Sequence, residues 1–210
     1  KPSLLTFNEV TTLFHEFGHA LHGMLADTIY PSLSGTSVAW DFVELPSQIM
    51  ENWCYEKEAL ALFAKHYETG ANIPMDLIDK IKAAATFQQG MQTMRQLSFG
   101  LLDMNWHGIN PSEITDVKQH ETNAFKETQL FPEVKENCMS TAFSHIFQGG
   151  YSSGYYSYKW AEVLDADAFD FFKETDLFDP KIAEAFKTNV LSKGGTQDPL
   201  ELYIKFRGQK

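Results

Sequence analysis

His15 and His19 stand four residues apart, with Glu16 between them, in a stretch patterned as a helix. Thr6 and Glu9 have the spacing of a capping box, and Val10, Leu13, Phe14, Phe17 and Leu21 recur at helical intervals up to about His22. Residues four apart on a helix share a face, so both imidazoles can reach one cation. Neutral imidazole nitrogen suits zinc, which prefers four tetrahedral positions. Glu16 follows the first histidine and would sit beside the metal rather than on it, where its carboxylate can take a proton from water. Gly18 has no side chain, which suits the close approach of a substrate or of a neighbouring backbone.

Such a site needs a third protein ligand. Glu44 opens a polar stripe of Glu44, Gln48 and Glu51 on one face of a second helix. A carboxylate that completes a His2Glu set leaves the fourth position open, the catalytic rather than the structural arrangement. A glutamate at a helix start is also favoured by the helix dipole, which is the plainer reading of Glu44. Glu51 is open to two readings, a partner that orients a ligand imidazole or a solvated helix residue. The Glu16-x-x-His19 spacing also occurs in di-iron four-helix bundles, but those need a second copy and the sequence has none.

Around this motif the chain reads as a mainly α domain with little sheet. Asp27–Thr36, with Pro31, Ser34 and Gly35, is patterned as a loop with a short extended stretch near Ile29 and Leu33. Helices are predicted from about Asp41 to Tyr67, Met75 to Trp106 and Ser112 to Gln129, with Gly90 and Gly100 as weak points in the longest. A Gly- and Tyr-rich segment, Gln148–Tyr158, precedes helices near Tyr155–Lys173, Pro180–Leu191 and Pro199–Phe206. The 210 residues suit one domain or at most two small ones, and 43% hydrophobic with 21% charged residues argues against disorder.

A net charge of -11 argues against a nucleic-acid partner, which calls for a basic face. The absence of a run of about twenty apolar residues argues against a membrane span. Cys54 and Cys138 form neither a framework nor a CxxC pair, which favours buried thiols and a reducing compartment. The first residue is not Met and the histidine motif comes early, so the chain is read as a portion of a longer protein.

HEFGH at 15–19 followed by Asp41-Phe42-Val43-Glu44-Leu45-Pro46-Ser47-Gln48 resembles the thimet oligopeptidase family of zinc peptidases. Leu33-Ser34-Gly35-Thr36, Gly149-Gly150-Tyr151, Gly154-Tyr155-Tyr156-Ser157-Tyr158 and Phe206-Arg207-Gly208 extend the likeness over essentially the whole chain. The resemblance implies a zincin-like, multi-helix catalytic domain with zinc (Zn2+) as cofactor. It implies that His15, His19 and Glu44 bind the metal and Glu16 activates water. It further implies that His145, Tyr151 and Tyr158 are catalytic, contacting substrate or stabilising the oxyanion, with Tyr155 a substrate-binding candidate. Phenol and imidazole are suitable donors for that task, and the glycines among them would let the loop gate access.

Family members are typically longer, with a large helical portion before this region. Residues 1–210 are therefore expected to be the C-terminal catalytic portion, with the N-terminal portion as its partner, short peptides as substrates and the cytoplasm as location. Residues 145–151 and 102–107 are similar to the peptidyl-dipeptidase branch, which implies release of C-terminal dipeptides. Residues 156–162 look equally like the oligopeptidase A branch, which cuts internally. Arg95 and Arg207 are open to gripping a substrate carboxylate or to structural roles. His22, His66, His107 and His120 are read as polar or packing residues. The competing expectation is a helical portion that acts only as a binding or structural module.

Overall fold

Thr6 starts the first helix, α1 (Phe7–Met24), through a reciprocal cap: its hydroxyl accepts from Glu9 N, and its own N–H donates to the Glu9 carboxylate at 2.7 Å. The computed structural model describes residues 3–209. The chain continues through α2 (Leu45–Asn52), α3 (Lys57–Phe63), α4 (Met75–Ala85), α5 (Gln89–His107) and α6 (Val117–Phe125). It ends with α7 (Ser144–Phe147), α8 (Ser157–Lys173), α9 (Pro180–Phe186) and α10 (Pro199–Arg207). Among the described residues the only β feature is an isolated antiparallel bridge between Lys65 and Asn72, so the protein is mainly α.

The chain divides into two compact units, one built from the residues up to Ala85 together with those from Trp160 onward, the other from Thr86–Lys159. In the first, α1 packs along α2, and the core gathers Phe42, Leu45 and Ile49 with Phe169, Phe172 and Phe206. α9, the π-helical turn Lys187–Leu191 after it and α10 supply most of the rest of that core, and α9 and α10 are each started by an aspartate cap, Asp179 or Asp198, ahead of a proline. Gly208 closes α10 at a φ of 81°, the left-handed position that glycine takes without strain. In the second unit α5 packs on α6, with a core of Phe99, Leu102, Phe143, Ile146 and Tyr155.

Three predicted helices prove shorter. The stretch from Asp41 to Tyr67 breaks at Glu56, whose backbone is extended (φ -99°, ψ 132°) and whose carboxylate pairs with Lys82 and Lys173. The long helix from Met75 is interrupted between Ala85 and Gln89, with Gln88 at a φ of 53°, whereas Gly90 and Gly100 lie inside α5. The predicted helix over 112–129 starts later, because Asp116 caps α6 by accepting from Gln119 N. In the loop near Ile29 and Leu33 the backbone is extended at Tyr30 (φ -105°, ψ 118°) and Ser34 (φ -89°, ψ 147°), on either side of a 3-10 turn over Pro31–Leu33.

Burial on α1 also departs from the apolar periodicity. Leu13 and Phe17 stay about half exposed, and the buried face is that of Gly18 and His22. Hydrophobic spacing located the helix but not the face it packs.

Candidate metal centre and tyrosine cluster

Gly18 decides how closely α1 approaches α2. A Cβ at this position would lie 2.2 Å from the Pro46 carbonyl oxygen and 2.6 Å from the Ser47 Cα. The neighbouring backbone, not a substrate, is what needs the missing side chain. That approach sets His15 and His19 against the first residues of α2, where Glu44 is the N-terminal flanking residue and Pro46 lies in the first turn.

One oxygen of Glu44, Oε2, lies 3.4 Å from His15 Nε2 and 3.3 Å from His19 Nε2. The three ligand atoms fall within 4.8 Å of one another. A tetrahedral ion with bonds of about 2.0–2.1 Å has ligand-to-ligand edges of about 3.3–3.4 Å, which both Glu44-to-imidazole distances match, and the donor set suits such an ion in chemistry. The Glu44 carboxylate is 1% exposed, and an ionised group so buried needs partners. Ser47 Oγ supplies one, donating to Glu44 Oε2 at 2.8 Å and to its carbonyl oxygen at 2.8 Å.

Behind the histidines a second carboxylate sets the tautomer. His15 Nδ1 lies 2.7 Å from Glu51 Oε1, and an ionised carboxylate only accepts, so Nδ1 carries the proton and Nε2 presents its lone pair toward Glu44 and His19. The polar stripe on α2 thus resolves into a flanking ligand candidate, Glu44, and an orienting residue, Glu51. Burial of the His15 ring works against its protonation. The Glu51 hydrogen bond and the charges of Glu44, Glu51 and Glu16 outweigh it, raising the imidazole above its usual range. Glu16 is exposed on α1, directly after the first histidine. His22 is fully buried, and burial with the nearby His19 pushes it down to about 4.

The second unit holds the other candidates, and they come together there. Tyr151 and Tyr158 stack with ring centroids 5.1 Å apart, and Tyr155 lies 5.1 Å from Tyr158. His145 lies 5.9 Å from Tyr151 and 6.2 Å from Tyr155. Tyr155 is the most enclosed of the group, packed edge-on against Phe99 and Phe143. Tyr151 N donates to His145 O at 3.0 Å, which folds the glycine-rich segment back on α7. Asp103 of α5 holds the far side of that segment, accepting from Ser153 N and Tyr155 N at 2.9 Å each. The sequence assigns no role of its own to Ser47 or Asp103, which it shows only within the motif at 41–48 and within residues 102–107.

The remaining polar candidates have structural partners. Arg207 pairs with Asp167 and Glu174 and lies over the Phe171 ring, and Arg95 lies 4.6 Å over the Phe99 ring. His66 Nδ1 accepts from two backbone amides, His107 binds Asp103, and His120 lies against Trp106.

The fold and the first unit's donor set define a mainly α protein with two histidines and a buried glutamate arranged for one tetrahedral cation. The chain belongs to peptidase family M3, whose family model matches residues 1–210. Oligopeptidase A of Salmonella typhimurium is 47% identical over 212 residues, covering 100% of this chain and 31% of that protein. Organellar oligopeptidase A of Arabidopsis thaliana is 46% identical, again over 100% of this chain and 27% of its own length. Dipeptidyl carboxypeptidase of Escherichia coli is 40% identical over 211 residues, 100% of this chain and 31% of that protein. The chain thus spans about a third of the length of these curated relatives.

Proposed function

We propose that this chain is the catalytic portion of a zinc peptidase that hydrolyses short peptides, with His15, His19 and Glu44 holding the metal. The observation that carries the reading is the buried Glu44 oxygen at 3.3–3.4 Å from both imidazole Nε2 atoms. Zinc, when bound, supplies polarisation of the scissile carbonyl and makes a water far more acidic than in bulk. Glu16 takes the proton from the attacking water as its oxygen bonds to the carbonyl carbon. Glu16 then passes a proton to the amine nitrogen as the C–N bond breaks. Glu51 keeps His15 in the tautomer that presents Nε2. His145, Tyr151 and Tyr158 donate hydrogen bonds to the substrate oxygen as it becomes negative, and Tyr155 lines the bound peptide. Support for these four roles comes from the clustering of their rings and the glycines around them.

Glu16→Gln tests the reading. Zinc content should stay near one per chain while peptide hydrolysis falls by about 10²–10⁴-fold. Hydrolysis that survives this change removes Glu16 as the base. Glu44→Ala should abolish tight zinc binding, and a variant with full affinity removes Glu44 as a ligand.

Cleavage before the second-last residue, releasing C-terminal dipeptides, is the mode suggested by residues 145–151 and 102–107. The higher identity to oligopeptidase A than to dipeptidyl carboxypeptidase favours internal cleavage as a second reading. Mass spectrometry of products from a blocked and a free C-terminal peptide separates the two. The partner proposed for this portion is the remainder of such an enzyme, supported by the share of the relatives that it spans. The proposed compartment is the cytoplasm, supported by two free thiols, and no described helix is long and apolar enough to cross a membrane.

A further inference from the structure

We propose that Asp103 is a positioning residue that holds the tyrosine segment in its working conformation. This rests on the proposed role of Tyr151 and Tyr158. Asp103 sits on α5 with its carboxylate 1% exposed, and both of its oxygens are used. Oδ1 accepts from Ser153 N at 2.9 Å and from His107 Nδ1 at 2.8 Å, and Oδ2 accepts from Tyr155 N at 2.9 Å. Burying a carboxylate is costly unless its lone pairs are satisfied. Here three N–H donors satisfy it, and two of them are backbone amides of the segment that carries the tyrosines.

The segment needs such an anchor. Gly149, Gly150 and Gly154 give it wide conformational freedom, which must be lost for the rings to hold fixed positions. Gly150 has a φ of 86°, and Ser153, though not glycine, has a φ of 56°. A serine in the left-handed region is costly without compensation, and its N–H to the Asp103 carboxylate supplies that compensation. At the other end, Tyr151 N donates to His145 O and Ser152 Oγ to Ile146 O. The segment is therefore tied at two places, to α7 and to Asp103. Tyr155 lies between Phe99, Phe143, Tyr151 and Tyr158, so a shift of its backbone would move both stacked phenols. His107, bound to the same Asp103 oxygen, keeps the carboxylate turned toward Ser153.

The test combines hydrogen exchange with kinetics on the zinc-loaded protein. In the wild type the amides of Ser153 and Tyr155 should exchange slowly, and Asp103→Asn should speed both by about tenfold or more while α6 is unaffected. Asp103→Asn keeps the side-chain shape but turns an NH2 toward an N–H donor. It should lower kcat by about 10–100-fold with KM within about twofold, and zinc content should not change. On a Tyr158→Phe background the same substitution should cost less than about twofold, because the two act through one group. Fast exchange of the two amides in the wild type overturns the proposal, as does an unchanged kcat in Asp103→Asn or a loss that multiplies in full with Tyr158→Phe. If Tyr151→Phe and Tyr158→Phe themselves leave kcat unchanged, the tyrosine reading falls and takes the positioning role of Asp103 in the reaction with it. The exchange rates then report separately whether the anchor exists.

Discussion

Glu51 Oε1 and His15 Nδ1 lie 2.7 Å apart, joining α2 to α1 across 36 residues of chain. The contact fixes which ring nitrogen is protonated and therefore which one is free to bind a metal. Glu51→Gln should weaken zinc affinity by about 10–100-fold while leaving the helical content unchanged. Competition with a chromogenic chelator measures the affinity. An unchanged affinity would leave Glu51 as a solvated helix residue.

Gly18→Ala should be among the most damaging single-methyl additions in the protein. Its new Cβ would meet the Pro46 carbonyl oxygen at 2.2 Å, and that partner is backbone rather than the end of a flexible side chain. Alanine gains about 1 kcal/mol of helix propensity, but forcing α1 from α2 should cost more, for a net loss on the order of 2 kcal/mol. Urea unfolding measures the loss, and zinc affinity should fall with it because Glu44 moves with α2.

Asp165 gives the protein an unusual pH dependence. Burial raises its carboxyl from the ordinary value of 3.8 to about 7, against the Asn52 hydrogen bond and with help from the charges of Glu51 and Glu162. Between these two values the folded chain keeps a proton that the unfolded chain has released. The stabilisation from this group is full on the acid side of that window and is lost as pH rises toward about 7. Asp165→Asn keeps an acceptor for Asn52 and should raise stability near pH 7–8 by on the order of a few kcal/mol, flattening the slope below it. Thermal unfolding from pH 5 to 8 reads both effects.

Cys54 should be chemically silent in the folded protein. It is fully buried, and burial together with the Glu51 charge pushes its thiol up to about 12, so almost no thiolate forms at neutral pH. Alkylation at pH 8 should label the partly exposed Cys138 first and reach Cys54 only in denaturant, with peptide mapping to assign each site.

The sequence by itself determined the elements whose causes are local. The Thr6–Glu9 cap, the sharing of one face by His15 and His19, and the proline starts of α9 and α10 all follow from bonds and steric limits within a few residues. Glu44 and the tyrosine group were reachable as well, Glu44 through the polar stripe and the tyrosines through the resemblance carried by their motifs. Tertiary structure decided the rest. The break at Glu56 arises where its carboxylate meets lysines from distant parts of the chain, and the buried face of α1 is set by the backbone of α2 rather than by its own apolar spacing. The burial of Asp103 and its grip on Ser153 and Tyr155 depend on groups fifty residues away in sequence, a distance over which helical periodicity carries no information.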